Sequence, residues 1–528
     1  ITPDSALGGT QIQRSLRFNS GSSQYITRTC SSEGNRKKWT WSGWVKKTRN
    51  GRTTYALLSS DNGGDGGGNN GIASIYFHNS GEIHTYYDTD SGNNYGAINS
   101  SLFRDTTSWY HIVWQVDAAN STSKIWVNGV EQSINSGAQP VSGYNYTMNQ
   151  SGKPMTIGVD AWDLYTFSDT YIAETHYSDG QLYAASDFGY TDAQTGQWRP
   201  KNGNVIKSNI TYGTNGYWLD FRDNTSTTTL GYDYSGNGNH WTLNNMSVAA
   251  GSDNDSVTDT PTNNFVTLNP LKRFTHNCTL SDGNLKATGS SESYPGAAAD
   301  IELTLGKWYY EFKITSKTSN PICGVCQNNY VSGGTGRIMY RADGVYIMSN
   351  SSEPTDPDTF GVGDIIGVAI DLDHGDGLIR FYKNGTLQTV NSGLNNVKSN
   401  LSISTLGGLL PYIQMYTGDA CTVNFGQQPF VHTPPTGHRA LSSHNLATVN
   451  AAAIVRPQRF FETLLYTPNS SSLTVDGLEF TPDLIWLKSR TQGYRHYWFD
   501  SVRGTGQKAL SSNSNVQEGD DAGSITSF

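Results

Sequence analysis

Residues 306–314 read GKWYYEFKI, and their alternation decides how the chain is built. Trp308, Tyr310 and Phe312 fall on one face of an extended chain and Tyr309, Glu311 and Lys313 on the other, which is the period of a strand with one face against a core. Downstream, RADGVYIM (341–348), DIIGVAIDLD (364–373), GLIRFYKNGTLQTV (377–390), LLPYIQM (409–415) and ACTVNFGQQPF (420–430) are divided by turns at HGDG, KNG and YTGD. Upstream, SLRFNSGSSQYITRT (15–29) and NRKKWTWSGWVKK (35–47) alternate in the same way. IASIYFH, IHTYYDT, WYHIVWQVD, SKIWVNG and PMTIGV follow, each bounded by Gly, Asn or Asp. Short runs punctuated like this predict an all-β chain of tandem antiparallel β-sandwiches.

The order of motifs in the second run resembles the SPRY domain, also called B30.2-like. A Gly-Lys-Trp-Tyr-Tyr-Glu strand (306–311) is followed by Gly-Asp-x-Ile-Gly (363–367), by Phe-Tyr-x-Asn-Gly closing an Asp-bounded hairpin (381–385), and by Val-Asn-Phe-Gly-Gln (423–427). SPRY domains are binding modules, so the resemblance implies a ligand surface on loops, with Tyr294, Tyr330, Arg337 and Tyr340 supplying stacking faces and a fork of donors. Trp308 and Phe312 read as core residues. Cys323 and Cys326 have no second cysteine or histidine pair to complete a redox or zinc motif and read as structural thiols. Asp371, Asp373 and Asp376 flank a hairpin turn and need no metal.

The first run resembles the concanavalin A-like, laminin G-like jelly-roll superfamily, through DTTSWYHIVWQVD (105–117) and SKIWVNGVEQ (123–132), whose hairpin closes on Asn128-Gly129. That superfamily holds lectins and glycan hydrolases. Its retaining glucanases carry Glu-x-Asp-x-Glu on one strand, because alternate residues share a face and bring acid and nucleophile together. No such pattern occurs, and Glu174 and Asp179, the nearest pair in this region, have a spacing that puts them on opposite faces of a strand. No enzyme is expected. The loop DNGGDGGGNNG (61–71) is the metal candidate, with Asp61, Asp65 and Asn69 as oxygen ligands for calcium; the alternative is a plain hairpin tip. Asp253, Asn254, Asp255 and Asp259 form a second, weaker acidic cluster. No other cofactor is expected.

Composition bounds the function classes. The chain has 528 residues, too many for one ordinary core, which predicts about three domains. With 12% aromatic residues and 57 glycines it is too aromatic for disorder and rich in turn chemistry. A net charge of −9 argues against general binding to nucleic acid or anionic membranes, either of which favours a basic face. No apolar run reaches a membrane span and no charged segment leads into an apolar one, which predicts a soluble chain that is neither inserted nor exported by a signal peptide. Five irregularly spaced cysteines make no disulfide framework and suit synthesis in a reducing cytoplasm.

Five segments follow: a concanavalin A-like sandwich (1–181), a turn-rich connector (182–270), a SPRY-like sandwich (271–435), a Pro- and Ser-rich linker (436–458) with one helical turn near 446–454, and a partial C-terminal β domain (459–528). The connector sets short aromatic runs among Asn, Asp, Gly and Pro, a composition that makes no core alone. Burying Trp198, Tyr217, Trp218, Phe221 and Trp241 on both neighbours would make it a fixed brace. Its phrases YIAETHYSDGQLYAASDFGYTDAQTGQWRPK (171–201) and DTPTNNFVTLNPL (259–271), with PDLIWLKSR (482–490) and HYWFDSVRGTG (496–506), look like those of long tail-fibre and other virion surface proteins of tailed phages, marine ones especially. His496 and Asp500 lack a placed nucleophile and read as packing residues.

The resemblance implies a virion protein, made in the host cytoplasm, whose partners are other tail or capsid proteins and a host-surface glycan or receptor. It also implies a homo-oligomer, with a trimer the usual form for fibres, although no heptad repeat supports one. The alternatives are a structural particle protein that cements neighbouring subunits and, third, a polysaccharide depolymerase. The start at Ile1 and the stop at Phe528 predict further residues on both sides.

Overall fold

The computed structural model describes residues 10–51, 54–61, 71–89, 92–97, 101–134, 139–161, 164–193, 195–251, 254–272, 278–291, 294–328, 330, 336–348, 351–353, 358–374, 377–388, 397–398, 408–449, 461, 463–475, 478, 480–505, 508–511, 519–520 and 525–526. The described residues are 41% strand and 6% helix. It divides into two units, one of residues 1–192 and 196–450, the other of residues 193–195 and 451–528.

The first sandwich uses β1 (Ser15–Phe18), β2 (Tyr25–Thr29), β3 (Lys38–Lys47), β4 (Thr54–Ser60), β5 (Ala73–His78), β6 (Ile83–Thr89), β7 (Gly92–Ala97), β8 (Trp109–Asp117), β9 (Thr122–Val127), β10 (Val130–Gln132), β11 (Pro154–Ile157) and β12 (Thr170–Asp179). The segment read as a connector adds α1 (Ala185–Phe188), β13 (Gly189–Thr191), β14 (Trp198–Pro200), α2 (Gly203–Asn209), β15 (Tyr217–Leu219), α3 (Thr227–Leu230), β16 (Thr242–Asn244) and β17 (Ser256–Val257). One sheet runs β10-β9-β8-β3-β12-β1-β17 with β15 also on β12, and the facing sheet runs β16-β2-β11-β4-β5-β6-β7. Trp39, Trp41 and Trp114 are fully buried between them. Trp41 Nε1 donates to Thr175 Oγ1 at 2.8 Å and Trp114 Nε1 to Tyr87 OH at 2.9 Å, whereas the buried Trp39 Nε1 has no hydrogen-bond partner among the described residues.

The connector does more than lie along its neighbours. β15, β16 and β17 pair with β12, β2 and β1, so it completes both sheets of the first sandwich. Tyr217, Phe221 and Trp241 enter that core, while Trp218 packs on the outer side of the sheet with Trp126, Phe188 and Ile206.

The second sandwich uses β18 (Thr279–Ser281), β19 (Lys286–Thr288), β20 (Gly296–Ala298), β21 (Lys307–Ser316), β22 (Ile322–Gln327), β23 (Arg337–Arg341), β24 (Val345–Met348), β25 (Ser351–Glu353), β26 (Ile365–Asp371), β27 (Leu378–Lys383), β28 (Thr386–Leu387), β29 (Val397–Lys398), β30 (Leu409–Gln414) and β31 (Ala420–Asn424). One sheet runs β18-β19-β31-β21-β26-β27-β28 with β29 on β27, and the other runs β20-β30-β22-β23-β24-β25. Trp308, Tyr310, Phe312 and Phe425 fill the space between, as the alternation of residues 306–314 requires. Residues 436–449, read as the start of a linker, are packed: Leu441 is buried, Arg439 bridges to Trp308, and a helix α4 (Ser443–Val449) follows.

A buried polar seam ties the sandwiches. Lys46 Nζ on β3 lies 2.9 Å from Asp259 Oδ2 with both side chains shut from solvent, and it also donates to Asn264 Oδ1 (2.8 Å) and the Phe265 carbonyl (3.2 Å). Trp109 Nε1 donates to the other Asp259 oxygen at 3.1 Å. A lone buried ammonium would cost several kcal/mol, so these acceptors fix where residues 259–265 run. Asp255, of the same acidic cluster, pairs with Arg17 at 3.1 Å, and Tyr171 OH donates to the Gly283 carbonyl of the second sandwich at 2.8 Å.

The second unit contains β32 (Leu484–Leu487), β33 (Tyr497–Asp500), β34 (Lys508–Ser511) and β35 (Gly519–Asp520) in one sheet. Trp486 and Trp498, opposite one another, stack at 5.9 Å. Asp500 pairs with Arg503, and His496 lies against both tryptophans.

Candidate functional site: the outer face of the second sandwich

Strand alternation sorts β23 into two faces. Ile338 and Tyr340 point into the core, whereas Arg337 and Met339 point outward with Leu410 and Tyr412 of β30. Arg337 is only 8% exposed. Its Nη1 donates to Tyr330 OH at 2.8 Å and lies 3.4 Å from Gln414 Oε1, and its guanidinium sits 5.6 Å from the Tyr330 ring centroid. No carboxylate pairs with it among the described residues, and its buried Nε has no hydrogen-bond partner. A guanidinium in that state presents a fork shaped for a carboxylate or phosphate. The route outward is aromatic and polar: Gln414 Nε2 donates to Tyr416 OH at 2.5 Å, and the Tyr416 ring meets Tyr294 edge-on at 6.4 Å. Tyr294 is 47% exposed and has φ 55°.

Of the four residues expected on loops, Tyr294, Tyr330 and Arg337 gather on this face and Tyr340 does not. Arg337 and Tyr340 stand on a strand at an odd separation, so the pleat puts them on opposite sides. The Tyr340 ring is fully buried against Tyr346, Phe360 and Phe381. Gln414 and Tyr416 were missed, although the alternation Leu410, Tyr412, Gln414, Tyr416 places them beside Arg337. The same rule separates Cys323, in the core, from Cys326, on the outer face, where burial pushes its thiol up to about 12.

Asp61 is buried at the end of β4. Asp65 and Asn69 lie outside the described residues, as does Asp376. Glu174, at φ 45° in a bulge of β12, accepts from Trp218 Nε1 at 2.9 Å and lies 3.3 Å from His176 Nε2. Asp179 instead accepts backbone N–H groups of Asn35 and Asn215, at 2.7 and 3.0 Å. Burial, with the charge of Glu174, raises Asp220 to about 6, but Glu174, His176 and Asp220 are all covered by the connector. Ser42 Oγ is 2.9 Å from His111 Nε2, a nucleophile–base geometry, yet His111 Nδ1 accepts from Trp198 Nε1 at 3.0 Å. The neutral ring then carries its proton on Nε2 and donates to Ser42 rather than taking its proton.

Residues 307–428 match the SPRY domain family, and residues 20–186 match the concanavalin A-like lectin/glucanases superfamily (Laminin_G_3). Residues 456–528 match a domain of unknown function (DUF7483). Among solved structures, the chain is similar to the SPRY domain of human HERC1, at 19% identity over 29% of this chain and 94% of that one, with a TM-score of 0.25. It is similar to the native heptameric SAP-like pentraxin from Limulus polyphemus at 14% identity over 33% and 80%, TM-score 0.26. The TRIM65 PSpry domain follows at 14% identity over 30% and 89%, TM-score 0.24. No curated protein matches the chain. The family matches define a protein built from binding modules, with a role in binding or adhesion. Specifically, it carries a concanavalin A-like domain followed by a SPRY domain.

Proposed function

We propose that the chain is a virion surface protein of a tailed phage, a tail fibre or related appendage, that binds a host-surface glycan or receptor through the outer face of its SPRY-like sandwich. Arg337 carries the ligand half of this reading: a guanidinium more than nine-tenths buried, with no carboxylate partner among the described residues, on the face that exposed Tyr294 borders. An acidic sugar, or an acidic group on a protein receptor, supplies the missing charge while the tyrosines stack on its apolar side. The virion half rests on the tail-fibre-like phrases at both ends of the connector and in the second unit. Virion partners and a homo-oligomer are part of it; an enzymatic activity is not.

A cementing role has one observation in its favour. Leu484 and Trp486, on β32 of the second unit, are 63% and 56% exposed and suit packing against a neighbouring subunit. The test is binding of the purified chain to host envelope polysaccharide and host surface protein. Wild type should bind one of them, Arg337→Met should weaken binding at least tenfold, and the polysaccharide should gain no new reducing ends. Equal binding by both proteins, or none, would contradict the ligand reading, and oligosaccharide release would establish a depolymerase.

A further inference from the structure

The turn joining β5 to β6 reads His78-Asn79-Ser80-Gly81-Glu82-Ile83-His84. Phe77 and Ile83 are fully buried in the first core, so the pleat turns His78, Glu82 and His84 to the outer face of the sheet together. The turn sets their spacing. His78 N–H donates to the Glu82 carbonyl at 2.9 Å, Gly81 N–H donates back to the His78 carbonyl at 3.0 Å, and Gly81 holds φ 97°, which a side chain would resist. The result is two imidazoles and a carboxylate, each half-buried, offering ligand atoms that lie within 4.8 Å of one another. The two rings stack at 4.2 Å. His84 Nε2 is 3.0 Å from Glu82 Oε2; the Ser80 hydroxyl donates to that same oxygen at 3.0 Å and lies 2.8 Å from His78 Nδ1.

We propose that His78, Glu82 and His84 bind one first-row divalent transition ion of the zinc class, with one coordination position left open to water. The donor set selects the ion. Two imidazole nitrogens and one carboxylate suit zinc, copper or nickel, whereas calcium takes six to eight oxygens. Two ligands of one tetrahedral zinc, each about 2.0–2.2 Å from the metal, stand roughly 3.4 Å apart. His84 Nε2 and Glu82 Oε2 are already near that separation, and a rotation of the half-buried His78 ring closes the rest. Ser80 supplies the outer hydrogen bond that commonly orients metal ligands. The site is distinct from the Asp61, Asp65 and Asn69 loop, whose donors are all oxygen.

The test is a titration of the full chain with zinc chloride against a chromogenic chelator, with cobalt(II) as a spectroscopic probe. The expected result is one zinc per chain, a visible cobalt band, and no displacement by millimolar calcium. His84→Ala and Glu82→Gln should each lower affinity at least tenfold, and His78→Ala/His84→Ala should abolish both uptake and the band while circular dichroism stays that of wild type. Glu82→Gln serves if the double variant fails to fold, because it keeps a side chain of the same shape. No zinc uptake, or uptake unchanged in these variants, overturns the proposal.

Discussion

His111 shows how a single side chain is spent on structure. It is enclosed by Trp44, Phe188 and Trp198, with His176 beside it, and burial first, then the charge of His176, lowers its pKa from 6.5 to about 3. The fold therefore holds the neutral ring. As pH falls through 6.5 the unfolded chain takes up a proton that the folded chain refuses, so stability is lost between pH 6.5 and about 3. At pH 5 the loss from this group is about 2 kcal/mol relative to pH 7. Denaturant unfolding of wild type and His111→Gln at the two pH values should show a loss on acidification that is about 2 kcal/mol smaller in the variant. Equal pH slopes would contradict the burial of His111 as a neutral ring.

The strands were legible where residue types alternate along the run, although β8, β11 and most of β21 are buried on both faces. GKWYYEFKI, WYHIVWQVD and PMTIGV alternate, and the structure puts a strand on each. The connector strands were not legible, because Tyr217, Trp218 and Leu219 are buried on both sides and their short run has no alternation to read. The composition argument set these rings on both neighbouring sandwiches, whereas Tyr217, Phe221 and Trp241 enter the first core and Trp218 packs on the outer side of its sheet. In the candidate site the residue types were legible and the faces were not: Tyr340 was grouped with Arg337 by nearness in sequence, and the pleat separates them. Trp218 measures how far the connector is built in. Its ring is 3% exposed and its Nε1 holds Glu174, so Trp218→Ala should cost about 3–5 kcal/mol in equilibrium unfolding. Gly203 packs against both groups, leaving little room for relaxation around the cavity. Limited proteolysis gives the parallel readout: residues 203–263 should resist cleavage under native conditions. Cleavage there as fast as in the denatured chain would show that the connector is not fixed.

At the scale of the molecule, the bonds of Lys46 to Asn264 and Phe265, of Tyr171 OH to the Gly283 carbonyl and of Asn284 Nδ2 to the Thr48 carbonyl join the two sandwiches in one unit. Whatever one sandwich binds, the other is carried at a fixed angle to it. The proposed appendage reading would use that rigidity to pass a grip on the host to a particle. Among the described residues no helix is long and apolar enough to cross a membrane. The most direct test is a map of the intact virion at side-chain resolution. The account predicts density for both sandwiches at the outer surface of a tail or capsid appendage, with Tyr294 and the Arg337 face open to solvent. A particle without this chain, or one in which a neighbouring subunit covers that face, would contradict it.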